Sequence, residues 1–237
     1  DEEDEELKDN YPVRVEFNAI QDGSTNHPSY IILLGDSMLD NFYYQMDKKQ
    51  HSITSLLRKK YFNKAMISNL AVEGCESRHV LYGIQPNEVL IAERKKYSLE
   101  PYPVDYDDDL NKPRVYPLAV LEEMVTTNAL QFDLPKGYVS PTVILSVGMM
   151  DIKSMIPVYD ESQVIAKMLS FEKNLRQILK DLTHKFKLNV VLLSLFEPFS
   201  DFYSLYETPR DAFVMVLNLW MCKLFTIAAE HKLPVID

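Results

Sequence analysis

Apolar residues along this chain follow two patterns: short unbroken runs, and longer stretches in which they return every third or fourth position. Tyr30-Ile31-Ile32-Leu33-Leu34 is a run of the first kind that stops on Gly35, and it fits a strand buried on both faces. Ala65-Met66-Ile67-Ser68-Asn69-Leu70 and Thr142-Val143-Ile144-Leu145-Ser146-Val147 read the same way, the latter rich in β-branched residues and also ending on a glycine, Gly148. Asn189-Val190-Val191-Leu192-Leu193-Ser194-Leu195 and Leu233-Pro234-Val235-Ile236 predict two further strands.

The second pattern lies between them. Over residues 52–61, Ile53, Leu56, Leu57 and Tyr61 share one helical face, and Arg58, Lys59 and Lys60 occupy the last turn, where the helix dipole favours cations. A short helical stretch around 78–82 follows Gly74. With Asp160 or Ser162 as cap, Val164, Met168, Phe171, Leu175, Ile178 and Leu182 step along one stripe. Phe213, Leu217, Trp220, Leu224 and Ala228 do the same further on, and the methionines and aromatics of these two long helices are expected in the core.

Strands that alternate with amphipathic helices imply a parallel sheet covered on both faces, because parallel neighbours need right-handed crossover connections. The expectation is a doubly wound α/β sheet of about five strands. One stretch breaks the alternation: residues 86–141 hold seven of the thirteen prolines and one convincing helix at 118–127. It reads as an insertion over the carboxyl edge of the sheet, where long excursions serve as lids, binding loops or interaction surfaces. The domain reading is an acidic lead-in, partly disordered, over 1–28 and a single α/β domain over 29–237. No internal repeat is present.

Composition narrows the partners. The formal net charge of −10 is concentrated in the first six residues and in Asp105, Asp107, Asp108 and Asp109, which disfavours nucleic acid and anionic membrane surfaces. Cys75 and Cys222 lie far apart without metal-ligand spacing and read as two packed, reduced thiols. The sequence shows no signal peptide, no Asn-x-Ser/Thr sequon and no apolar run approaching the length of a membrane span, which favours a cytoplasmic protein. The chain opens on Asp1 rather than Met, which leaves room for a removed leader or a larger parent protein. The acidic run at 105 does not make a calcium loop, since Leu110 and Tyr116 stand where glycine and glutamate are required; it reads as a solvated loop.

Three loops reach the carboxyl edge of the predicted sheet, where ligands of such folds bind: Gly35-Asp36-Ser37, Glu73-Gly74-Cys75 and Gly148-Met149-Met150-Asp151. A serine just past a strand presents its hydroxyl and its own N–H. A glycine in the next loop lets a second N–H approach a reacting carbonyl, so Ser37 and Gly74 are candidate oxyanion donors.

These residues resemble the GDSL, or SGNH, hydrolases, esterases and lipases on a flavodoxin-like sheet. Gly35-Asp36-Ser37-Met38-Leu39-Asp40-Asn41 is similar to the first block of that family, Ala71-Val72-Glu73-Gly74 to the second, and Ser146-Val147-Gly148-Met149-Met150-Asp151 to the third. The resemblance implies a three-layer flavodoxin-like fold, Ser37 as catalytic nucleophile, and Ser37 and Gly74 as backbone oxyanion donors. Asp36, Asn41 and Asp151 would support the loops. Two departures stand out. Met150 occupies the position where the family presents an Asn amide to the oxyanion, and a thioether donates nothing. The family's Asp and His come from a last block beyond the fifth strand, and this chain stops at Asp237, which matches the acidic residue closing that strand. His27, His51, His79, His184 and His231 are poor substitutes; only His79 falls near the right edge.

The expected function is serine ester hydrolysis on an ester-bearing small molecule, lipid or acylated sugar, with no cofactor and no metal. The alternative is a weakened or inactive domain of the same fold that binds a ligand, or a protein through the insertion. A nucleotide or phosphate binder is disfavoured, because neither a P-loop nor G-x-G-x-x-G occurs.

Overall fold

The computed structural model describes residues 29–40, 53–61, 65–85, 92, 104–107, 112–126, 141–156, 160–198 and 200–236. Its main sheet contains β1 (Ser29–Gly35), β2 (Ala65–Asn69), β5 (Thr142–Ser146), β6 (Asn189–Leu193) and β7 (Val235–Ile236). They are all parallel, in the order β2-β1-β5-β6-β7. Counting only these strands, that is the flavodoxin-like order 2-1-3-4-5, whose switch point falls between the first and third strands. Here β1 and β5 flank it, paired from Ile31↔Thr142 to Gly35↔Ser146. The expected doubly wound, three-layer α/β fold is therefore the fold observed.

Alternate residues of β1 explain the layers. Ile32 and Leu34 point into the larger core with Val143, Leu145, Val190 and Leu192, while Leu33 joins Leu39, Ile67 and Ala71 on the other face. The larger core is closed by α5 (Glu161–Lys180) and α7 (Arg210–Glu230), which bring Phe171, Leu175 and Ile178 against Phe213, Trp220 and Leu224. The Phe171 and Trp220 rings lie 6.1 Å apart. On the opposite face Ile53 and Leu57 of α1 (Ile53–Lys60) cover the smaller cluster.

Shorter elements complete the described chain: α2 (Ser77–Tyr82), α3 (Pro117–Thr126), α4 (Met149–Lys153) and α6 (Ser200–Leu205). Asp160 caps α5 by accepting the Gln163 N–H, and beyond Lys180 a single π-turn, Asp181–Lys185, keeps Leu182 buried.

Several expectations need correction. Residues 105–107 are not a loop: β3 (Val104–Asp107) pairs antiparallel with β4 (Lys112–Val115), placing Asp105 opposite Arg114 and Asp107 opposite Lys112. Backbone pairing between two segments of the insertion is a long-range choice that composition alone does not reveal. Leu56, counted on the apolar face of α1, is exposed, as are Met215 and Phe225 of α7. Cys75 is buried but Cys222 is exposed, and both are free. The reading that no run approaches membrane length also fails, since α7 is long and apolar enough by length and composition alone. Its most apolar stripe, from Phe213 to Ala228, is spent on the core between sheet and α5.

Candidate active site

The first of the three loops is shaped by a close approach. Gly35 has φ +127°, and a Cβ on it would meet the Ser146 carbonyl oxygen at 1.8 Å, so no other residue fits. That contact lets the Asp36 N–H donate to the Ser146 carbonyl at 3.0 Å. The Asp36 carboxyl turns inward: Oδ1 accepts the Ser146 hydroxyl at 2.7 Å and the Met38 N–H at 3.1 Å. Its Oδ2 is buried without a hydrogen-bond partner. Burial pushes this carboxyl up to about 7, with the Ser146 and Met38 bonds opposing and the negative charges of Asp151 and Glu73 adding to the rise.

Asp36 thus braces the turn from below, and Ser37 sits on top of it, half-buried. Leu39 and Asp40 both donate to the Asp36 carbonyl, so residues 36–40 form a turn. The described part of this turn ends at Asp40, and the next described residues open α1 at Ile53. Asn41, proposed to hold this loop, lies outside the described residues, as do His27, His51 and Asp237.

The second loop is stitched to the first. Val72 N–H donates to the Gly35 carbonyl at 3.0 Å, and Glu73 N–H donates to Asp40 Oδ2 at 3.0 Å. Gly74 follows at φ +81°, where an added Cβ would find space, so glycine is required there by backbone conformation alone. Among the described residues neither the Ser37 N–H nor the Gly74 N–H donates to a protein acceptor.

The third loop is a short helix rather than the loop expected from sequence. Gly148, at φ +118°, packs so tightly under Phe171 and Leu195 that a Cβ would lie 3.1 Å and 3.3 Å from them. α4 then directs Met150 to the first loop, with Ser37 Oγ 3.9 Å from Met150 Sδ. Asp151 points the other way and is buried. Its Oδ2 accepts the Ser77 N–H at 2.9 Å and its Oδ1 the Ser77 hydroxyl at 2.7 Å. Burial raises Asp151 to about 6 against the lowering effect of both Ser77 bonds.

Three residues of this arrangement carry no motif of their own: Ser77, Lys167 and Asn174. Asn174 Nδ2 donates to Ser77 Oγ at 3.2 Å, and Lys167 Nζ lies 3.1 Å from Glu76 Oε2. The available signal was weak: a polar Asn174 inside the apolar stripe of α5, which usually marks a buried partner.

No described histidine or carboxylate hydrogen-bonds Ser37 Oγ. His79 is near the edge, but its Nδ1 accepts the Glu76 N–H at 3.1 Å. His184 lies in the π-turn and His231 at the end of α7. Among the described residues no group of acidic, histidine or cysteine side chains forms a metal site.

No protein-family model matches the chain, and no curated protein matches it in sequence. Solved structures do. A member of the lipolytic protein G-D-S-L family from Veillonella parvula DSM 2008 is 15% identical with a TM-score of 0.47, the match covering 88% of this chain and 77% of that one. The psychrotrophic esterase EstA from a Pseudoalteromonas species is 14% identical with a TM-score of 0.46, over 88% and 76%. The acetyl xylan esterase AlAXEase is 12% identical with a TM-score of 0.48, also over 88% and 76%.

Proposed function

We propose that this chain carries a serine ester-hydrolase site of the GDSL/SGNH kind, with Ser37 as nucleophile. The observation that carries the reading is the pair of unused donors. Ser37 N–H and Gly74 N–H, on turns stitched together at the switch point, have no protein acceptor among the described residues. A substrate oxyanion would supply one. The three sequence blocks support it independently.

In this reading Ser37 Oγ attacks the carbonyl carbon of an acyl or acetyl ester, and the carbonyl electron pair moves onto oxygen. The two N–H groups hold the oxyanion. Collapse expels the alkoxide and leaves an acyl-Ser37, which water cleaves by the reverse sequence. The Oγ proton passes to a base and from it to the leaving alkoxide. That base comes from outside the described residues, because His79 Nδ1 is already occupied. The substrate is an ester-bearing small molecule, lipid or acylated sugar.

A second reading, a weakened or inactive domain that binds through the same edge, is favoured by one contact. Met150 Sδ faces Ser37 Oγ where an amide donor would stand, and loss of such a donor costs about 10²–10³ in turnover. Treating the full-length protein with a fluorophosphonate and mapping the adduct separates the two. An adduct on Ser37 supports the hydrolase, and a folded protein with no adduct supports the binding module.

A further inference from the structure

Helix α2 begins directly after the Gly74 turn, and its first residues are pinned from three sides. Asp151 of α4 takes both Ser77 donors, Asn174 of α5 reaches Ser77 Oγ, and Lys167 of α5 pairs with Glu76. The start of the helix is therefore fixed to the third loop and to the core. The turn that presents Gly74 hangs from it, and one side chain reaches back across the junction.

That side chain is His79. It occupies the third helical position, where a capping box ordinarily places Glu or Gln to accept the N-cap N–H. His79 Nδ1 accepts the Glu76 N–H at 3.1 Å, and the His79 N–H donates to the Glu76 carbonyl at 2.9 Å. Accepting at Nδ1 requires the proton of the neutral ring to sit on Nε2. A proton on Nδ1 would face the Glu76 N–H and break the bond, while the Gly74 carbonyl, which also faces the ring, favours the charged form. The ring thus touches the turn that carries the Gly74 donor, and its protonation changes what holds that turn.

We propose that His79 is a positioning residue for the Gly74 N–H, and that the turn keeps its oxyanion-binding shape only while the imidazole is neutral. The role rests on the esterase reading of this edge, but the coupling of ring to turn does not. The groups facing the ring act in both directions: Glu76 favours the charged form, while Arg78 on the same helix and Lys167 from α5 oppose it. Burial is the largest influence and holds the ring below the ordinary histidine value, so it is neutral at neutral pH.

The test follows one signal and one reaction across pH 5–8 in the full chain: the backbone amide resonance of Gly74, and the rate of Ser37 labelling by a fluorophosphonate. In the wild type the Gly74 resonance should titrate with a midpoint below 6.5 that matches the His79 ring. H79Q keeps an acceptor at the capping position without a titrating proton. It should abolish the Gly74 titration and recover the labelling that H79A loses at pH 8, by about tenfold or more. A Gly74 amide that ignores the His79 titration overturns the proposal, as does a Gly74 titration that survives in H79Q. Should either variant fail to fold, the wild-type Gly74 titration decides alone. Absence of labelling at every pH would remove the esterase reading and leave the Gly74 resonance to judge His79.

Discussion

Asp151 holds Ser77 by both of its donors, the backbone N–H at 2.9 Å and the hydroxyl at 2.7 Å, and so ties the loop after β5 to the helix after β2. Everything between these two points bears on Ser37. Met150, the neighbour of Asp151, contacts the serine, and the Gly74 turn precedes Ser77 by three positions in sequence.

Replacing Asp151 by Asn should expose the value of this clamp. The amide offers one acceptor where two are used, and its NH₂ turns a donor toward a donor. The expected loss is about 1–3 kcal/mol at neutral pH, read as a lower urea midpoint at unchanged slope. An unaltered midpoint would show the clamp to be dispensable.

Asp36 gives a pH dependence of definite sign. Its folded value, near 7, lies above the ordinary carboxylate value, so the folded state binds the proton more tightly than the unfolded chain. The resulting stability is complete below about pH 4 and is lost as pH rises through 7. Asp151, raised to about 6, acts in the same direction. The melting temperature of wild type relative to D36N should therefore fall between pH 5 and pH 8, by at least about 3 °C. Parallel curves for the two proteins would contradict the buried, protonated Asp36.

Met150→Asn restores a side-chain donor beside Ser37 Oγ. On the hydrolase reading, turnover of a short-chain aryl ester should rise by about tenfold or more, with little change in KM, since the added bond forms chiefly in the transition state. A rate that stays flat would mean that residue 150 does not face the oxyanion.

Among the described glycines, Gly35→Ala should be the most damaging substitution. The Cβ would meet the Ser146 oxygen at 1.8 Å from a backbone angle that L residues avoid. A loss of at least about 3 kcal/mol is expected, visible as a large drop in melting temperature or in soluble yield. Wild-type stability in this variant would require β1 and β5 to be paired otherwise.

Much of this was legible in the chain. The runs at Tyr30 and Thr142 and the stripe from Val164 to Leu182 led to the observed strands and helix within a residue or two. Burial imposes its own period, and a glycine after a strand marks a turn. Leu56 repeats with the apolar period yet faces outward, because periodicity names a face and cannot count the neighbours available to cover it, while Met215 and Phe225 lie off the stripe of α7 and were assigned to the core by residue type alone. The acidic run at 105 looked like a loop until a partner strand bearing Lys112 and Arg114 was placed beside it.

By itself, the sequence determined which segments are strands and helices, that the strands run parallel, and that Ser37, Gly74 and Met150 follow strand ends, since each depends on local periodicity and turn chemistry. Only the tertiary structure decided what those residues touch. Ser37 meets Met150 across 113 positions and Ser77 meets Asp151 across 74. Such partners are chosen by strand order, which brings β1 beside β5, and that order minimises the exposed apolar surface of the whole sheet rather than of any one segment. His79 shows the division within one side chain. Its place on a short helix was visible in the sequence, but the commitment of its Nδ1 to the Glu76 N–H emerged only when the helix start was fixed by residues from α4 and α5.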